Sequence, residues 1–232
     1  FMDNNFKHVC DEVIKCYSGN TNKLVRQTIV SLLAVLAHRQ PNEFAPFYLT
    51  ITMNQILLAA FKKENDRSKV LMTIGGIALA VRSGMIPFLD DIFKHIKAAL
   101  GPKKSTPALA VEALSCLAML AESMTVAEAQ SHLTDRVKTL LDLLFAQPLS
   151  PTLVETLSKL DKHIPSITVG VQVRLMDMIS YLLDGKAFKF PGAPSKLYYS
   201  GRSGKSGSTP QAPPYATQQA ERDPQIITLA LR

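Results

Sequence analysis

SKVLMTIGGIALAVRSGMIPFLDDIFKHIKAALGPKKSTP, Ser68 to Pro107, decides how this chain folds. Val70, Leu71, Ile74, Ile77, Ala78 and Val81 recur at three- and four-residue steps, the spacing of one helix face. Pro87 suits a first helical turn, where its missing N–H costs nothing. Behind it Leu89, Ile92, Phe93, Ile96 and Leu100 form a second apolar stripe. GPKKSTP, Gly101 to Pro107, then stops the pattern, because glycine and proline punctuate helices. The stretch therefore reads as two amphipathic helices joined at a corner. Gly75 and Gly76 sit inside the first, where each costs roughly 1 kcal/mol by propensity. A close approach of neighbouring helices is the expected compensation.

The same pattern lies on both sides. Upstream, a leading helix is expected over about 5–17, with Phe6, Val9, Cys10, Val13, Ile14 and Tyr17 on one face. A pair follows over about 23–39 and 47–62, with Pro41 and Pro46 marking its corner. In its first helix Leu24, Val25, Ile29, Leu32, Leu33 and Leu36 are apolar. Downstream, pairs are expected over about 107–123 with 127–146, and over about 151–163 with 167–183; Ser150 or Ser166 is suited to cap a helix start. Comparable positions Ile29, Ile74, Leu114 and Leu157 are 45, 40 and 43 residues apart. A period of this size is the signature of HEAT or armadillo units. The expected fold is all-α: an α-solenoid over 1–184, built of one leading helix and four antiparallel pairs, with no strand.

Composition changes after Leu183. From 185 to 224 the chain is rich in Gly, Pro, Ser and Gln and has no apolar period. Such a segment cannot offset its ordering entropy, so a disordered inter-repeat loop is expected. Residues 225–232, ending IITLALR, read as the start of the next repeat helix. Starting at Phe1 and stopping mid-pattern, the sequence reads as a piece of a longer chain.

Net charge is +7, and the 185–224 segment holds six Lys and Arg against two acids, so +4 of it lies there. No helix carries a sustained basic stripe interleaved with aromatics, which argues against a nucleic-acid partner. No apolar run reaches the roughly 20 residues a bilayer needs, so no transmembrane segment is expected. The three cysteines are too few and too scattered for a disulfide framework. Cys10 and Cys16 with His8 match no zinc spacing, so no metal site is expected.

No motif carries catalysis. GRSGKSGST, Gly201 to Thr209, fits the end of a phosphate-binding loop, but Tyr199 stands where its first glycine belongs. Ser203 and Ser206 each follow a basic residue in the loop and are candidate phosphorylation sites. The five histidines are scattered and form no H-E-x-x-H pair. Asp90 and Asp91 suit a helix start rather than a carboxylate dyad. Met119, Met124, Met176 and Met178 read as core filling before an adaptable groove. The expected working surface is therefore the solenoid edge. There the charged turns KKENDR and GPKKST offer Lys62, Lys63, Arg67, Lys103 and Lys104 as candidate partner contacts.

Particular residues add a resemblance. TMNQILLAAFKKENDRSKVLMTIGGIALAVRS, Thr52 to Ser83, followed by IKAALGPK, Ile96 to Lys103, resembles the amino-terminal HEAT solenoid of TOR (target of rapamycin) protein kinases. LSPTLVETLSKLDKHIPSI from Leu149, FPGAPSKL from Phe190 and ITLALR from Ile227 are similar to the same region, in the same order. The stretch between Ser200 and Pro224 departs from it, as an inserted loop would. The resemblance implies a scaffold and docking segment of a large serine/threonine kinase acting in nutrient and growth signalling. The kinase domain, with its ATP and magnesium, would lie downstream, leaving no cofactor and no enzymatic activity for this piece. It implies a Raptor-like accessory subunit and a second kinase copy as partners. It implies a cytoplasmic location, with the parent complex peripheral at vacuolar or lysosomal membranes. A free-standing HEAT adaptor, such as a transport receptor or phosphatase scaffold, would share the architecture.

Overall fold

The computed structural model describes residues 2–61, 66–101, 106–147 and 150–168, with Gln172 and Met176 besides, and side chains from Asn5 onward. The segments expected at 185–224 and 225–232, and most of the helix expected at 167–183, lie outside the described residues. Every element among the described residues is helical, and none is a strand.

α1, Met2–Gly19, buries Phe6, Cys10 and Tyr17 and leaves its other faces to solvent. α2, Lys23–Arg39, starts where expected because Asn22 caps it: its side-chain oxygen accepts from the Leu24 and Val25 amides at 2.9 and 3.4 Å. It buries Ile29, Val30, Leu33, Leu36 and Ala37. Leu24 and Leu32, assigned to the apolar stripe by spacing, are instead exposed.

The expected corner at Pro41 and Pro46 is itself a helix. Pro41 occupies the first turn of α3, Pro41–Phe47, where a missing N–H is harmless. The chain bends at Tyr48 and continues as α4, Leu49–Ile51, a π-helical stretch Thr52–Leu57, and α5, Leu58–Ala60. The second pair is α6, Arg67–Val81, and α7, Leu89–Leu100. Between them a 3-10 segment, Arg82–Phe88, contains Pro87, so the α-helix proper begins two residues after that proline. Arg82 turns the chain with φ 53°, the one non-glycine positive φ among the described residues. Arg67–Leu100 is apolar enough over 34 residues to cross a membrane by length and composition. Part of that apolar surface is turned inward: Val70, Leu71, Ile74, Ile77 and Ala78 are fully buried. Burial of each larger one is worth about 1.5–3 kcal/mol.

α8, Pro107–Ser123, and α12, Pro151–His163, begin at the expected places with one device. Thr106 and Ser150 accept, through their hydroxyls, the Leu109 and Leu153 amides, each at 3.2 Å, with proline at the first helical position. Ser166 lies in a 3-10 turn, Pro165–Ile167, and its hydroxyl meets that of Thr134 at 3.2 Å; the helix expected to open there lies mostly outside the described residues. The single helix expected over 127–146 is three pieces, α9 Val126–His132, α10 Thr134–Lys138 and α11 Leu141–Phe145. Two threonine hydroxyls bond back to the preceding turn near these breaks. Thr134 donates to the Gln130 carbonyl at 2.6 Å and Thr139 to that of Arg136 at 2.7 Å, and such back-bonding bends helices.

The principal packings follow chain order: α2 on α6, α6 on α8, α8 on α12. Behind them α7 packs on α8 and α11, and α9 on α12. The two glycines of α6 make the stack possible. A Cβ on Gly75 would lie 2.8 Å from the Met119 sulfur and 3.3 Å from the Cys116 Cα, both on α8. One on Gly76 would lie 3.1 Å from the Ala34 Cβ on α2. Adjacent positions on one helix thus admit a neighbour on each side, as expected from the propensity cost. Thr156 ties the next step, its buried hydroxyl lying 3.2 Å from the Leu114 carbonyl and 2.7 Å from that of Thr152.

Candidate docking surface

Of the candidate contact residues, Arg67 alone is described; Lys62, Lys63, Lys103, Lys104, Ser203 and Ser206 lie outside the described residues. Arg67 opens α6, and its Nε donates to the Phe61 carbonyl at 3.0 Å, pinning the side chain across the turn it terminates. It lines a groove of about 280 Å³ with Phe61, Lys94, His95, Ala98, Ala99 and Leu109. The chain enters and leaves both charged turns here: Phe61 and Arg67 bracket one, Ala99 and Leu109 the other. Residues 34 apart in sequence close its floor, where the Phe61 and His95 rings stack at 3.9 Å and 8°. No sequence pattern pairs these two rings.

The electrostatics are one-sided. Burial lowers the His95 pKa below the ordinary histidine value; Asp91 opposes this, and Lys94 and Arg67 add to it. Lys94 is exposed and makes no ion pair among the described residues. Asp66, beside Arg67, is turned to Gln27, whose amide donates to it at 2.8 Å.

A second groove of about 260 Å³ lies between α2, α6 and α8, lined by Ser31, Ala34, Met72, Thr73 and Glu112 among others. Burial raises the Glu112 carboxyl above the ordinary value. Leu32, Val35, Met72 and Val111 are exposed on the same three helices. The remaining chemistry-bearing residues do not converge. Among the described residues no three of His, Cys, Asp and Glu are placed to hold a metal. Cys10 and Cys116 are buried, which pushes their thiols up to about 11 and about 12, while Cys16 is exposed. Such buried thiols are poor nucleophiles.

No protein-family model matches the chain. Curated relatives do. Over 91% of this chain it is 32% identical to the serine/threonine-protein kinase TOR of Arabidopsis thaliana. It is 33% identical over 91% to that of Oryza sativa subsp. japonica. To the serine/threonine-protein kinase tor1 of Schizosaccharomyces pombe it is 32% identical over 82%. The chain spans about 8% of the length of each of these relatives. The chain, helical throughout its described residues, is homologous to one segment of the TOR serine/threonine kinases.

Proposed function

We propose that this chain is a HEAT-type α-solenoid segment that scaffolds a TOR-type serine/threonine kinase from its amino-terminal region and holds protein partners for it. The observation that carries the reading is the order of packing, α2 on α6 on α8 on α12, in a chain homologous to a small part of those kinases. Stacked pairs of this kind bury apolar faces against their neighbours and leave outer faces and inter-helix turns for binding. Phosphoryl transfer, with ATP and magnesium, belongs on this reading to another part of the parent chain. The partners are a Raptor-like accessory subunit and a second copy of the kinase. The setting is cytoplasmic, with the parent complex peripheral at vacuolar or lysosomal membranes.

The test uses the immobilised 232-residue chain. Purified Raptor-type subunit and purified TOR kinase are passed over it separately, and the chain is assayed for transfer of the ATP γ-phosphate to a peptide. Retention of either protein, without transfer, is the expected result. Transfer by the chain itself, or retention of neither protein, would overturn the reading.

A further inference from the structure

The groove beside Arg67 is small for a metabolite and of a size for a side chain. At about 280 Å³ it lies at the lower limit of small-molecule pockets, which run from roughly 300 to 1,000 Å³. Its floor and walls are apolar: the Phe61–His95 stack, Ala98, Ala99 and Leu109. Among the described residues that line it, the charged ones are both cations, Arg67 and Lys94, and none is a carboxylate. Asp91 acts on His95 from one turn earlier on α7, and Asp66 is occupied by Gln27.

We propose that this groove docks an acidic segment of a partner protein, with carboxylates on Arg67 and Lys94 and an apolar side chain against the Phe61–His95 stack. The proposal deepens the docking reading by naming the chemistry of the partner, and it rests on that reading. Charge complementarity selects the occupant. The chain's own 185–224 segment carries six Lys and Arg against two acids and would be repelled, so it is not the occupant. A charge-free apolar peptide would leave two cations at the mouth without partners.

His95 supplies a signature that a merely structural stack would not show. Facing it are Phe61 from the end of α5, Arg67 from α6, Asp91 and Lys94 on its own helix, and Leu109 from α8. In the free groove burial favours the neutral ring. A carboxylate brought alongside favours the imidazolium, so the bound pKa exceeds the free one. By linkage, affinity rises as pH falls through that interval.

The test is fluorescence anisotropy of the full chain with a labelled seven-residue probe of Glu and Asp around a central Leu. A peptide with Lys in place of every acid and a seven-nucleotide thymidylate are the comparison probes. The acidic probe should bind, weaken several-fold between about 50 and about 200 mM salt, and tighten several-fold from pH 8 to pH 6. Lys94→Glu, at an exposed position, should weaken it about 10-fold with an unchanged circular dichroism spectrum. His95→Gln should abolish the pH dependence. Equal affinity for the Lys peptide, tighter binding of the thymidylate, or indifference to Lys94→Glu would each overturn the proposal. Probe failure with kinase or Raptor-type retention intact defeats the groove alone; lost retention defeats the scaffold reading.

Discussion

Gly75→Ala should destabilise the chain although alanine is the better helix former. The substitution places a methyl 2.8 Å from the Met119 sulfur, 3.3 Å from the Met119 Cβ and 3.3 Å from the Cys116 Cα. The sulfur ends a flexible side chain and can swing away. The Cys116 Cα is backbone, so α6 and α8 must separate by a few tenths of an ångström. Overpacking of this kind costs about 1–3 kcal/mol, and the propensity gain offsets about 1 kcal/mol of it. A net loss of about 1 kcal/mol follows, or about 2–4 °C in Tm for a chain of this size. Gly19→Ala is the internal control. Nothing lies within 4 Å of a Cβ there, at the last residue of α1, so the same change should stabilise by about 0.4–1 kcal/mol. Urea unfolding followed by far-ultraviolet circular dichroism measures both. Met119→Ala combined with Gly75→Ala should cost less than the sum of the two, by about 0.5–1 kcal/mol, because the sulfur contact is shared. A Gly75→Ala chain stabilised as much as Gly19→Ala would refute the close-approach reasoning.

Gln147→Ala should cost about 1–2 kcal/mol in the same assay, since its buried amide donates to the Leu100 and Leu143 carbonyls, each at 3.0 Å, and closes the end of α7; an unchanged midpoint would remove it from the packing argument. Titration with a thiol reagent at pH 8 should find Cys16 reacting fast, and Cys10 and Cys116 only once denaturant is added. Glu122→Gln should cost well under 1 kcal/mol at neutral pH, because the Lys159 pair at 2.8 Å is partly exposed and screened. Lys159 lowers the Glu122 pKa and Glu122 raises that of Lys159. The pair's contribution is therefore present from above the unfolded carboxylate pKa to below the unfolded lysine pKa. It fades as pH falls through the folded Glu122 value or rises through the folded Lys159 value. A Glu122→Gln effect that persisted at pH 2 would show that something other than the pair is lost.

The helix starts that were legible share a chemistry. Ser150 announces α12, and Asn22 and Thr106, which read as turn residues by composition, cap α2 and α8 in the same way: a side-chain acceptor before an apolar run has one favourable use. The α3 helix was misread because proline stops a helix interior and starts a first turn with equal ease, and Pro41 did the second. The breaks in 126–145 had no signal in the residues: Thr134 and Thr139 bond backward to carbonyls there, but Thr28 and Thr156 do the same inside unbroken helices. Leu24 and Leu32 satisfy the helical period of α2 yet face solvent, because spacing defines a face and not what covers it. Of the candidate site, Arg67 was visible as a charged turn residue. The Phe61–His95 contact was not, since it depends on how α5 meets α7. The value of Gly75 and Gly76 was inferred from their cost alone, and the structure names the neighbours that repay it.

The two sides of the stack differ in stiffness. α2, α6, α8 and α12 are unbroken rods of 17, 15, 17 and 13 residues. Behind them α7 is also unbroken, but two of its neighbours are jointed: one passes through a π-helical stretch, and another is cut into pieces of seven, five and five residues. The π-helical stretch and the turn at Leu140 depart from regular i to i−4 hydrogen bonding, so they are expected to yield first. A pull or a bound partner will therefore bend this chain as a hinged strap bends over a rigid spine. The rods keep their mutual register while the jointed side lengthens or shortens. Deformation imposed at one end is carried along the rods as a change of curvature, and it need not melt the core between them.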